Sequence, residues 1–138
     1  MSIEATIIAD STGPNGFNRL TTVVCTFPRI VLAEVNTHKM ISKNSASSRA
    51  IPHEKMIRNV QENPFVPLAF QKVHKGMQGS EVFEGDEHDV RVKKWLEARD
   101  SALKESMELG ELGVTKQLCN RLLEPFLYHT AIMTALLS

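Results

Sequence analysis

The sequence has few of the residues that mark disulfide-rich and metal-binding proteins. Its 138 residues include only two cysteines, Cys25 and Cys119, which form no CxxC pair. No HExxH motif or paired Cys/His spacing is present, so the pattern argues against a zinc site. Both cysteines lie in apolar or helical patterns, which predicts buried free thiols in a reducing, cytoplasmic compartment.

The chain also has no excess of charge and no long apolar run. Sixteen basic residues balance sixteen acidic ones, and a neutral chain argues against broad nucleic-acid binding. No apolar stretch approaches the length that spans a membrane, and the first residues have neither the charged nor the apolar region of a signal peptide. We therefore expect neither a nucleic-acid nor a membrane partner.

The remaining composition is that of an ordinary globular protein, with 42% hydrophobic and 23% charged residues. The length predicts a single domain over residues 1–138. Periodicity and turn residues predict a β-hairpin of residues 3–10 and 20–27, and a strand at 126–135 for which helix is the competing interpretation. Helices are predicted at 28–35, 52–60, 89–109 and 114–123, the last ended by Pro125. The fold class expected is α+β, a small antiparallel sheet packed with helices on one side.

Residues 37–50 are the most informative part of the chain. This polar segment combines one imidazole and three cations with short hydroxyl and amide side chains: His38, Lys39, Ser42, Lys43, Asn44, Ser45, Ser47, Ser48 and Arg49. Such a segment suits an anion that offers many acceptor oxygens. The alternative is a solvated surface loop.

The order of these residues resembles the signature of the flavin-dependent thymidylate synthases, RHRxxSxNExSxRY. Aligned without a gap, five positions are identical to the signature: His38, Ser42, Asn44, Ser47 and Arg49. At a sixth position, Lys39 replaces an arginine with another cation. Thr37, Ser45 and Ala50 depart from the pattern. Residues 113–125 resemble the family's later helix, with Arg121 shortly before Leu-Glu-Pro. The sequence looks like a divergent branch with phage and bacterial members.

This resemblance implies a fold like that of the thymidylate synthase-complementing proteins, and a specific reaction. Members of the family methylate dUMP to dTMP with methylene-tetrahydrofolate. Reduced FAD supplies the hydride, and a nicotinamide such as NADPH reduces the flavin. They are homotetramers whose sites combine residues of several subunits.

The resemblance also assigns residues to the two ligands. His38 and the cation that follows it contact the flavin, and Ser47, Ser48 and Arg49 hold the nucleotide phosphate. The full cofactor set is Thr37, His38, Lys39, Met40 and Ser45. The full substrate set is Glu34, Ser45, Ala46, Ser47, Ser48, Arg49 and Arg121. No catalytic side chain and no metal ligand are assigned.

Two of these assignments have simpler alternatives. Glu34 occupies a position where the family commonly has glutamine, and its carboxylate could serve only to place charge on a helix. Arg121 could form a surface ion pair with Glu124, three residues later, which would contribute little.

Family members also continue beyond the position of Ser138 into a helix that carries an arginine. We therefore expect the chain to correspond to the amino-terminal portion of such an enzyme. The alternative function is a catalytically inactive remnant or fragment that binds flavin or nucleotide.

Overall fold

The computed structural model describes residues 3–14, 16, 18–39, 41–45, 51–73 and 81–137. In these residues the strands are β1 (Glu4–Thr12), β2 (Arg19–Pro28), β3 (Ile41–Ser45) and β4 (Tyr128–Leu137). The α-helices are α1 (Leu32–Val35), α2 (His53–Glu62), α3 (Asp86–Glu111) and α4 (Lys116–Arg121). Two 3-10 turns, Arg29–Val31 and Glu124–Phe126, precede α1 and β4 respectively. The predicted α+β class is confirmed.

The strands form one antiparallel sheet in the order β1-β2-β4-β3. The predicted hairpin of β1 and β2 is confirmed, and residues 126–135 are largely strand rather than helix. Along β2 and β4 the register runs without a shift from Arg19 opposite Leu137 to Pro28 opposite Tyr128. Cross-strand threonines, Thr22 with Thr134 and Thr26 with Thr130, are joined by hydroxyl hydrogen bonds of 3.0 and 2.9 Å.

The expectation that the whole polar segment is a loop is wrong for Ile41–Ser45. These five residues form the edge strand β3, with Ile41 opposite Ala135 and Ser45 opposite Ala131. An edge strand needs a partner on one side only, and its hydrogen bonds come from the backbone. The polar side chains of Ser42 and Asn44 can therefore stay exposed while the segment is extended. The sequence pattern missed this strand because no apolar alternation marks it.

The apolar core lies among α2, α3 and the chain that leads into β4. Its buried members are Met56, Val60, Leu103, Leu123, Phe126 and Leu127. Trp95 of α3 packs against this cluster, with Phe65 and Phe126 in edge-to-face contact with its ring. The indole N–H of Trp95 donates to the carbonyl of Phe65 at 2.8 Å, so the buried polar end of the ring is satisfied.

The apolar periodicity of residues 89–109 also predicts an inner stripe on this helix that includes two polar residues, Arg99 and Ser106, and both have structural roles. Arg99 Nη1 donates to the carbonyls of Val60 and Gln61 at 3.2 and 3.3 Å, near the carboxyl end of α2. Ser106 is fully buried, and its hydroxyl donates to the carbonyl of Cys119 at 2.9 Å. Met107, also placed on this stripe, is 40% exposed, so that part of the prediction is wrong.

Some predicted boundaries also differ from the observed ones. The third helix begins at Asp86 rather than residue 89, directly after Gly85, which has a φ of 60°. The fourth helix ends at Arg121, and Pro125 lies in the following 3-10 turn instead of ending the helix. Proline is tolerated there because the first turn of a helix needs no partner for the missing N–H.

The Ser106 contact gives a prediction about stability. Ser106→Ala removes this donor while the backbone N–H of Leu122 still donates to the Cys119 carbonyl at 3.2 Å, so the free energy of unfolding should fall by about 0.5–1.5 kcal/mol. Urea denaturation measures the loss, and Ser101→Ala, an exposed position on the same helix, is the control. Equal midpoints for the two variants would contradict the role given to Ser106.

Candidate functional site

A cleft of about 490 Å³ separates α1 and its 3-10 turn from the end of α4. We call it the outer cleft, and its lining residues are Arg29, Ile30, Leu32, Ala33, Asn36, Arg121, Glu124 and Pro125. One wall, residues 29–36, follows β2 in the chain, and the other, residues 121–125, precedes β4. The backbone N–H of Arg29 donates to the carbonyl of Leu127 at 2.9 Å, which ties the walls together at their base.

Two guanidinium groups converge on one carboxylate in the outer cleft. Arg121 Nη1 lies 3.0 Å from Glu124 Oε1, and Arg29 Nη2 lies 3.7 Å from the same oxygen. The side chain of Arg29 is 15% exposed and that of Arg121 is 53% exposed. These three groups together carry one excess positive charge, and the cleft is therefore suited to an anion.

The predicted substrate residues Glu34 and Arg121 lie on the two helices that border this cleft. Glu34 is exposed on α1, and its carbonyl accepts from the backbone N–H and the hydroxyl of Thr37 at 3.1 and 2.6 Å. Arg121 forms the ion pair with Glu124 that the simpler interpretation foresaw, and it also lines the cleft. The ion pair and a role in binding are compatible, because an exposed pair contributes little and opens easily.

The predicted flavin pair, His38 and Lys39, begins two residues after the cleft-lining residue Asn36. His38 and Lys39 are both exposed, and neither side chain has a hydrogen bond to another residue that the structure describes. Lys43 is used differently, because its ammonium donates to the carbonyls of His38 and Ile41 at 2.6 and 3.2 Å. Lys43 thereby holds the turn that presents His38.

Of the remaining assigned residues, the structure describes the backbone position of Ser45. Ser45 ends β3 opposite Ala131. Met40, the predicted substrate residue Ala46 and the predicted phosphate-binding residues Ser47, Ser48 and Arg49 lie outside the described residues. Their assigned roles stay predictions.

A second, smaller cavity of about 220 Å³ lies on another side of Arg29. We call it the inner cavity, and α2 and the start of β4 form most of its lining: Arg29, Ile51, Met56, Asn59, Glu62, Asn63, Phe126, Leu127, Tyr128, His129 and Thr130. Arg29 is thus common to both sites. Sequence reasoning missed Arg29 because no motif surrounds it, and only the pairing of β2 with β4 reveals its position.

Arg29 is held from the inner side by His129. Arg29 Nη1 lies 2.9 Å from His129 Nδ1, and the imidazole also packs against the ring of Phe27 at 5.5 Å between centroids. His129 is buried. Burial lowers the pKa of His129 because it disfavours the charged ring, and the neighbouring Arg29 guanidinium lowers it further.

The described ranges hold no group of three His, Cys, Asp or Glu side chains placed to bind a metal ion. Within the same ranges, no helix has both the length and the apolar character needed to cross a membrane. Both cysteines are free thiols, Cys119 buried as expected and Cys25 only partly so.

The fold is similar to that of two solved structures of a UMP/dUMP methylase, PolB from Streptomyces cacaoi. The structure bound with 5-Br UMP has a TM-score of 0.70 at 17% identity and covers 97% of this chain and 71% of PolB. The structure bound with 5-Br dUMP has a TM-score of 0.72 at 14% identity and covers 98% and 74%. At such identities the likeness shows the fold alone. No protein-family model and no curated protein sequence matches this chain.

The lowered pKa of His129 predicts a loss of stability on acidification. Below the ordinary histidine pKa of about 6.5 the unfolded chain takes up a proton that the folded chain resists, so the free energy of unfolding should fall as the pH falls. The fall should continue until the pH passes the folded pKa. Urea denaturation between neutral pH and pH 5 should show a smaller fall for His129→Gln than for the wild type. His38→Gln, at an exposed site, is the control, and parallel curves for the wild type and His129→Gln would contradict the account.

Proposed function

We propose that this protein binds a pyrimidine nucleoside monophosphate and methylates it as a flavin-dependent thymidylate synthase. The substrate is dUMP, the carbon donor is methylene-tetrahydrofolate, the cofactor is FAD, and NADPH is the reductant. Three independent lines support the proposal: the sequence signature around His38, the fold it shares with a UMP/dUMP methylase, and the charge of the outer cleft.

The observation that carries the proposal is the shared carboxylate of Glu124. Both guanidinium groups now contact the carboxylate of Glu124. A nucleotide phosphate that enters the outer cleft would replace Glu124 as the partner of one of them. Arg121 is the more exposed of the two, and within the described ranges its side chain is held by one exposed ion pair, which opens at little cost. Arg29 is the more buried and keeps its contact with His129. In this arrangement the positive charge of Arg29 stays fixed in the cleft, and Arg121 binds the phosphate together with Ser47, Ser48 and Arg49, to which the sequence resemblance assigns the same group.

The flavin site is proposed for the segment that begins at Thr37. His38 and Lys39 fit the cofactor because both are exposed and uncommitted among the described residues, while Lys43 fixes the turn that carries them. The imidazole can donate to an acceptor atom of the flavin, and the ammonium can neutralise a pyrophosphate. When bound, the flavin supplies the hydride for the reduction.

The nucleotide site gives a quantitative prediction. Arg121→Ala should weaken dUMP binding by about 1.5–3 kcal/mol, the range of a hydrogen bond to a charged group. Deoxyuridine, which lacks the phosphate, should bind equally to both proteins. Isothermal titration calorimetry measures both ligands, and Arg58→Ala, at an exposed position on α2 outside the cleft lining, is the matched control. Equal losses for dUMP and deoxyuridine would contradict phosphate binding by Arg121.

The flavin site is tested separately. FAD fluorescence should be quenched by the wild type and much less by the double variant His38→Ala/Lys39→Ala, because the variant removes a donor and a positive charge. Lys93→Ala, an exposed cation on α3, controls for a change in overall charge. Identical titration curves for the wild type and the double variant would remove the flavin from the proposal and leave the nucleotide site intact.

A homotetramer is proposed from the exposed apolar surface of the sheet. Leu20, Ile132 and Leu136 lie on one face of paired β2 and β4 and remain 44%, 45% and 62% exposed. Every residue of β1 is exposed, including Ile7 and Ile8. Exposed apolar side chains that share one face of a sheet are typical of an interface, and a second copy of the same sheet is the proposed partner.

The interface predicts an effect on assembly. Ile132→Lys should shift the protein from tetramer to smaller species in size-exclusion chromatography with light scattering, because it places a charge in an apolar contact. Val90→Lys, an exposed apolar position on α3, should leave the mass unchanged. A monomeric wild type, or an unchanged mass for Ile132→Lys, would contradict this interface.

A further inference from the structure

The carboxylate of Glu124 lies between the two arginines of the outer cleft. Its Oε1 is 3.0 Å from Arg121 Nη1 and 3.7 Å from Arg29 Nη2. When Arg121 binds a phosphate, the first of these contacts is broken, but the negative charge of Glu124 remains in the cleft. That charge then acts on every anion that enters.

The backbone around Glu124 keeps its side chain at this position. Glu124 is the first residue of the 3-10 turn that leads into β4, and Pro125 follows it. The backbone N–H of Leu127 donates to the carbonyl of Glu124 at 3.2 Å, and the buried ring of Phe126 anchors the turn in the core. The side chain of Glu124 is 28% exposed. The carboxylate therefore stays in the cleft when its ion pair with an arginine opens.

The charged groups that line the cleft leave one guanidinium for a ligand. Arg29 keeps Glu124 and His129 as partners, so its positive charge remains opposed by the carboxylate. Arg121 is then the cation of the described lining that can pair with a ligand, and one guanidinium matches two oxygens of a single phosphate group. The other described lining residues are uncharged: Ile30, Leu32, Ala33, Asn36 and Pro125. This lining therefore matches one phosphate group, and further phosphate groups meet the carboxylate of Glu124.

We propose that Glu124 is a specificity-determining residue, which makes the outer cleft prefer a nucleoside monophosphate to the corresponding diphosphate and triphosphate. The inference rests on the proposed nucleotide site. Each added phosphate brings further negative charge close to the carboxylate, and like charges repel strongly at short range in a partly buried cleft. The contacts of the phosphate next to the sugar are the same for all three nucleotides. The repulsion therefore lowers the affinity for the triphosphate most.

The test compares dUMP with dUTP. Isothermal titration calorimetry with the full chain, at low salt and with a chelator that removes divalent cations, gives the ratio of the two dissociation constants. The wild type should bind dUMP more tightly than dUTP. Glu124→Gln should bind both more tightly, and its preference for dUMP should be smaller by about threefold to tenfold, because the repulsion by the carboxylate is removed. An unchanged preference in Glu124→Gln, or tighter binding of dUTP by the wild type, would overturn the proposal.

Two control variants separate the charge of Glu124 from its shape. Glu124→Asp keeps a carboxylate and should keep most of the preference for dUMP. Glu111→Gln removes an exposed carboxylate at the end of α3, outside the cleft lining, and should leave both dissociation constants unchanged. Equal loss of the preference in Glu124→Asp and Glu124→Gln would overturn a role for the charge.

Salt supplies a readout that a purely structural role of Glu124 would not change. Repulsion between charges is screened by ions, so raising the ionic strength from about 0.05 M to about 0.5 M should reduce the wild-type preference for dUMP. The same change should have a much smaller effect on the preference of Glu124→Gln. An equal salt dependence of the two preferences would contradict the proposal.

The outcomes also separate this inference from the proposed function. If dUMP binds to the wild type and Arg121→Ala weakens that binding, but Glu124→Gln leaves the ratio unchanged, the nucleotide site stands and the role of Glu124 in specificity is wrong. If neither nucleotide binds to the wild type or to Glu124→Gln, the proposed nucleotide site is wrong, and this inference is wrong with it.

Discussion

The rest of the structure depends on the antiparallel pairing of β2 with β4. The two strands are separated by about a hundred residues of chain, and their register runs from Arg19 and Leu137 at one end to Pro28 and Tyr128 at the other. The backbone contact between Arg29 and Leu127 continues the pairing beyond the strands. A slip of one residue would turn every side chain of β4 to the opposite face and remove His129 from Arg29.

The pairing brings isolated charges into one network. Arg29 stands between the outer cleft and the inner cavity, and its guanidinium is shared between Glu124 on one side and His129 on the other. A largely buried arginine needs partners for its charge and its donors, and Arg29 has a hydrogen bond of 2.9 Å to His129 and an ion pair of 3.7 Å with Glu124. The same network leaves two features unbalanced: an excess positive charge in the outer cleft and a donor without an acceptor at His129. The excess positive charge is the basis of the proposed nucleotide site.

The elements that are stabilised by local interactions could be predicted from the sequence. The hairpin, the helix at His53–Glu62 and the long third helix could be predicted from β-branched runs, proline positions and apolar periodicity. Strand β3 could not be predicted, because four of its five side chains are polar and its pairing is with the distant strand β4. The pairs of Arg29 with His129 and of Arg29 with Glu124 were equally invisible, because they join residues about a hundred positions apart. For Arg121, a surface ion pair and a ligand contact could be foreseen, and the structure shows why the two interpretations are compatible.

The most direct test of the central claim is a crystal structure of the protein with dUMP. The account predicts the nucleotide in the outer cleft, with its phosphate within hydrogen-bond distance of the Arg121 guanidinium and Arg29 still bound to His129. A nucleotide bound away from both arginines would contradict the account, as would an Arg121 that keeps its ion pair with Glu124 while dUMP occupies another site.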